Sequence, residues 1–166
     1  YRSYIRDGVS SQQLPDHLTA LIDEIKDWTE PTPQQVDSAV AQHVATTQLR
    51  LARTSGSKLI QRYVRNSIDL QNIRSALRHY SDDERRDALL HGGAIATKEL
   101  LGDRDAILAA IDRSNLPYTL AESIQQLGED PIGLERTSAA VLANDIADMW
   151  NVPMSIESVF AFAAIG

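Results

Sequence analysis

The stretch Ile68-Asp69-Leu70-Gln71-Asn72-Ile73-Arg74-Ser75-Ala76-Leu77-Arg78 sets its apolar side chains at helical spacing and places an Asp and an Asn among them. Short polar side chains compete with the helix for backbone hydrogen bonds, so both residues are disfavoured in such an interior unless they have partners of their own. Asp69 and Asn72 therefore belong either to a solvated polar face or to a polar clasp, bonded to a neighbouring helix or backbone, that fixes how two helices cross. Arg74 and Arg78, one turn apart, join them as a candidate structural motif, and Arg65 stands one turn before Asp69 as an ion-pair candidate.

On either side of this stretch the helical period continues and alternating strand-like runs are close to absent, which predicts an all-α fold. Upstream, Leu18, Leu21, Ile22, Ile25 and Trp28 form a stripe over 15–28 with Asp16 as N-cap. The segment Glu30-Pro31-Thr32-Pro33 ends that helix, since proline removes a donor and restricts the residue before it. A helix over about 34–54 then carries Val36, Val40, Val44, Thr47 and Leu51 inward, Gly56 stops it, and Ser57 caps the next helix, expected to run to His79. Downstream, Ser81 or Asp82 opens a short acidic helix to Leu90, and His91-Gly92-Gly93 breaks the pattern. Short helices are predicted over 95–101, 104–114 and 120–127. The segment Glu129-Asp130-Pro131-Ile132-Gly133 is a further break, followed by helices over 134–150 (Leu134, Ser138, Val141, Leu142, Ile146 and Met149 inward) and from Ser155 to Ala164. Val36-Asp37 and Leu134-Glu135, like Leu59-Ile60 and Val159-Phe160, echo each other at a period of about 100 residues. Antiparallel bundles from two related helical units, 1–90 and 91–166, are the expected architecture.

At 166 residues, 43% hydrophobic and 23% charged, the chain is long enough for a buried core and too apolar to be disordered. It has no Cys, which excludes disulfides, thiolate metal sites and thiol nucleophiles. A net charge of −7 repels nucleic acid, so no nucleic-acid partner is expected. Arg outnumbers Lys 13 to 3 and Asp outnumbers Glu 15 to 8, a bias of the kind a salt-adapted proteome shows. The apolar runs at 138–143 and 159–165 fall short of the roughly 20 residues that span a bilayer. No basic start followed by an apolar run opens the chain, and with a first residue other than Met any native start is expected upstream.

Reactive constellations are weak. His17, His43, His79 and His91 share no metal-ligand spacing, and no GxSxG elbow is present; Ser55-Gly56-Ser57 reads as an inter-helix turn. The run Gly92 to Lys98 fails the phosphate-loop spacing and follows no strand, so it reads as a turn at a unit boundary. The acid pairs Asp82-Asp83, Asp103/Asp105 and Glu129-Asp130 stand at predicted helix starts, where capping explains them. Arg62, Arg65, Arg74 and Arg78 spread over more than one face of their helix and suit ion pairs better than a nucleic-acid stripe. No catalytic residue, metal site or cofactor is expected.

The segment Asp69-Leu70-Gln71-Asn72-Ile73-Arg74-Ser75-Ala76-Leu77-Arg78 resembles the signature of the C-type subunit of archaeal and bacterial V/A-type ATPases, the family that includes the d-type subunit of the vacuolar ATPase. The HGGAI stretch at 91–95 is similar to the start of that family's last repeat. Asn115-Leu116-Pro117-Tyr118 is similar to one of its turns, and Leu134-Glu135-Arg136 and Val152 to Phe162 are similar to its closing segment. The resemblance implies three helical units arranged as a funnel, of which this chain is a late portion. The family's acidic ending would fall just after Gly166, and with it the partner of the Asp69/Asn72 motif. It further implies a non-catalytic central-stalk component of the ATP synthase or ion-transporting ATPase, on the cytoplasmic face of the membrane. Such a component seats the central shaft on the proteolipid ring, passes torque during ion transport, and touches the membrane only through the ring. A freestanding helical interaction or regulatory domain is the alternative.

Overall fold

The computed structural model describes residues 16–78, 81–127, 130–152 and 155–165. Among them are eight α-helices, one 3-10 turn and no strand, so the chain is all-α as its periodicity predicts. It divides into two compact units, Tyr1–His43 and Val44–Gly166. In the first, α1 (Asp16–Lys26) buries Leu21 and Ile22 of the expected stripe; the cap assigned to Asp16 lies outside the described side chains. α2 (Pro33–Thr54) opens on a proline, at a position that needs no N–H. A reciprocal cap precedes it: the Thr32 N–H donates to Gln35 Oε1 at 2.9 Å and the Gln35 N–H donates to Thr32 Oγ1 at 3.2 Å. The division between the units falls within α2.

The second unit is built around α3 (Lys58–Arg78). Gly56 enters it at φ 70°, a left-handed conformation that glycine adopts without steric cost, and Ser57 Oγ then accepts the Ile60 N–H at 3.2 Å. Downstream come α4 (Asp82–Ala88), a loop, the 3-10 turn (Thr97–Leu100), α5 (Arg104–Asp112), α6 (Thr119–Leu127), α7 (Pro131–Trp150) and α8 (Ile156–Ile165). Leu70, Ile73 and Ala76 of α3 share one core with Leu89, Ile95, Leu100 and the apolar faces of α5, α6 and α7. That core draws on residues before and after position 90. Asp103 caps α5 by accepting the Ala106 N–H at 2.9 Å, and Asp130 accepts the Ile132 N–H at 3.0 Å.

One inward stripe differs from expectation. On α2 the buried residues of this unit are Ala45, Leu49 and Ala52, whereas Val44 and Leu51 are 44% and 57% exposed. The burying face is one position round the helix from the expected stripe. The predicted 95–101 helix is a single 3-10 turn, and the expected end at His79 lies outside the described residues.

Candidate functional site

α3 turns Asp69 and Asn72, three residues apart, toward the loop that follows α4. Asn72 Nδ2 donates to the Leu90 carbonyl at 2.8 Å, and its Oδ1 accepts the Leu90 N–H at 2.7 Å, so one side-chain amide satisfies both backbone groups of one residue. Asp69 Oδ2 accepts the Ala94 N–H at 2.9 Å and Oδ1 accepts the Ile95 N–H at 3.1 Å. Both side chains are 0% exposed, where an unbonded polar group is strongly disfavoured. Burial pushes the Asp69 carboxyl above its usual range; the two backbone bonds and the positive charge of Arg65 pull the other way. Arg65 thus acts on Asp69 through charge, while the bonded partners of Asp69 are backbone. The partners of the clasp are loop groups, so it holds the path of a loop rather than a crossing of two helices, and they lie within the chain at 90–95.

The loop's glycines make the clasp sterically possible. A Cβ on Gly93 would overlap Asp69 Oδ1, and one on Gly92 would overlap Leu49 Cδ1. Gly92 also sits at φ 109°, where L side chains are strained. The Gly-Gly step lets the backbone approach α3 closely enough to be bonded.

A second set of polar contacts ties α3 to α7. Arg62 Nε pairs with Asp145 Oδ1 at 2.9 Å and Arg62 Nη2 with Asp148 Oδ2 at 2.6 Å, while Asn66 Nδ2 donates to Asp145 Oδ2 at 2.7 Å. Further along, Glu135 receives Arg74 on Oε2 and Arg78 on Oε1, the latter at 2.9 Å. The order of partners reverses between the helices, so α3 and α7 run antiparallel. Asn66 and Asp145 are buried, and Glu135 is partly open to water. Asp69, Asn72, Arg74 and Arg78 thus all serve inter-element contacts, in two separate groups. Asn66 and Asp145 were not among the expected residues, although Asp145 interrupts the inward stripe of α7 much as Asp69 interrupts that of α3.

An apolar groove of about 430 Å³ opens between α2, α3 and α8, with Leu51, Val64, Tyr63, Val159 and Phe160 on its walls. Tyr63 and Phe160 meet edge to face with centroids 5.5 Å apart. Ile156, Val159 and Phe162 of α8 are exposed, the first two at the groove, and Trp150 stacks on Phe162 at 6.5 Å. The Ser57 hydroxyl, bonded to Glu157, helps hold that exposed carboxyl below its usual range. Among the described residues no three His, Cys, Asp or Glu side chains gather to hold a metal ion. No described helix is long and apolar enough to cross a membrane.

No curated protein and no solved structure matches the chain. A family model described as ATP synthase (C/AC39) subunit matches residues 5–164, which is nearly the full length and takes in the clasp, its loop and the α3–α7 contact. The chain therefore belongs to the ATP synthase (C/AC39) subunit family.

Proposed function

We propose that the chain is a non-catalytic central-stalk component of a rotary V/A-type ATPase, linking the central shaft to the membrane proteolipid ring and passing torque between ATP chemistry and proton or sodium transport. The family match over residues 5–164 carries this reading. The use of the polar residues supports it: Asp69, Asn72, Arg62, Arg74, Arg78, Asp145 and Glu135 are engaged in holding elements together. Bonded in this way, they stiffen the body rather than converge on a substrate. A body that works by contact also needs apolar surface left open, and Ile156, Val159 and Phe162 on α8 provide it. In this role the chain lies at the cytoplasmic face of the membrane and meets the bilayer only through the ring. Asp69, Asn72, Arg74 and Arg78 act as its structural motif.

The two helix pairs fit descent from a duplicated unit divided near residue 90. α2 and α7 open on Pro33 and Pro131, and α3 and α8 on Lys58 and Ile156, each pair of starts separated by the same 98 residues.

Reconstitution of the ATPase with and without the protein that carries this chain tests the role. Its omission is expected to leave ATP hydrolysis by the catalytic head running while ATP-driven ion transport is lost, and adding it back is expected to restore transport. Undiminished transport without it, or ATP turnover by the chain alone, would contradict the assignment.

A further inference from the structure

Antiparallel helices that meet only through apolar side chains are held by an interaction without direction, and a slide of one turn, about 5.4 Å, re-seats ridges in the next grooves. The contact between α3 and α7 is built differently. At one end the buried Asp145 engages Arg62 with one oxygen and Asn66 with the other, and Arg62 reaches on to Asp148. At the other end Glu135 divides its two oxygens between Arg74 and Arg78. On α7 the two carboxylates stand about 15 Å apart at about 1.5 Å per residue. A slide in either direction breaks both ends together, and at the inner end it strands a buried carboxylate and a buried amide, which is strongly destabilising. The exposed pairs at Glu135 add little stability of their own. What they add is direction.

We propose that the α3–α7 seam is an axial shear lock, in which Asp145 and Glu135 are positioning residues that fix the sliding register of two helices. Its purpose, bearing load as torque passes, rests on the central-stalk reading; the lock itself belongs to the chain. A one-turn slip would move the core faces of α5 and α6 out of their seats on α3 and α7, so the register of one seam sets the packing of the unit.

The chain has no cysteine, so spin labels placed by Lys58→Cys and Ala143→Cys, both exposed, report the α3–α7 offset by pulsed electron resonance. One narrow distance is expected in the otherwise unaltered chain. In an Asp145→Asn background, which removes the ion pair of the inner end, Glu135→Arg, which sets three like charges together, is expected to add a population displaced by about one turn. In that background the charge-reversed triple Glu135→Arg, Arg74→Glu, Arg78→Glu is expected to restore the single distance. Glu135→Gln with the same labels and background, a milder change at a partly exposed site, is expected to broaden the distribution in the same direction. An unchanged distribution in both Glu135 variants would overturn the lock, as would a displaced population that the charge reversal fails to remove. In the reconstituted ATPase, Glu135→Arg in the same background is expected to lower the ions moved per ATP several-fold against an opposing gradient, with recovery in the triple variant. Full coupling under load in Glu135→Arg despite a displaced label population would overturn the load-bearing purpose. Normal pumping by a complex lacking the protein altogether would instead overturn the central-stalk reading, while the label distances still decide the lock.

Discussion

Asn72→Ala is expected to lower the stability of the folded chain by about 2–4 kcal/mol, the sum of two buried backbone groups losing partners at about 1–3 kcal/mol each, less some relaxation. The loss falls on Leu90, whose N–H and carbonyl both bond to the Asn72 amide and which is itself buried. No other side chain occupies that position, so water would have to enter an apolar neighbourhood of Ile73, Leu89 and Ile95 to replace it. Asn72→Asp is expected to cost at least as much as Asn72→Ala: it keeps an acceptor for the Leu90 N–H, but it turns a carboxylate oxygen on the Leu90 carbonyl and brings a second buried charge close to Asp69. Chemical denaturation of the three forms, with the slope checked for constancy, measures the differences. A change below about 0.5 kcal/mol for Asn72→Ala, the size of an ordinary surface substitution, would show the amide to be dispensable.

Gly93→Ala is expected to cost about 2–3 kcal/mol, through overpacking rather than through backbone conformation. The added methyl meets the Asp69 carboxylate, which can move only by releasing the Ala94 and Ile95 N–H groups. The cause is separable by a double-mutant cycle. With Asp69→Ala already in place the methyl enters vacated space, and Gly93→Ala is expected to cost under about 1 kcal/mol, a coupling within the range measured for residues in contact. Additive costs would mean that the glycine is required for a reason other than room for the carboxylate.

The presence of the clasp was legible, and its partner was not. Two short polar residues inside an apolar helical run signal a bonded interior because helix propensity and burial both oppose them. Their partners here are main-chain atoms, which every residue carries alike, so no residue type at 90, 94 or 95 distinguishes them. Gly92-Gly93 was the one visible trace, and as a break between helices it has an ordinary explanation. On α2, following Val44 and Leu51 put the buried face one position away from Ala45 and Ala52, since alanine weighs little in a hydrophobic stripe although its small side chain is readily buried. Asp145 carried the same signal as Asp69, but Val141, Leu142, Ile146 and Met149 complete an apolar face without it. The pairing of Arg74 and Arg78 with Glu135, across more than fifty residues of sequence, depends on the chain path and leaves no local mark.

Amide hydrogen exchange at Ala94 tests the central claim, that α3 holds the 90–95 loop as part of one cooperative body. Ala94 is exposed as a residue, yet its N–H is bonded to Asp69, so burial alone gives it no protection. Exchange is expected only through large-scale unfolding, at a rate close to that of the Ile73 amide in the middle of α3, and protection at Ala94 is expected to collapse in Asp69→Ala while that of Ile73 persists. An Ala94 amide that exchanges in the native chain as fast as an open loop would contradict the account.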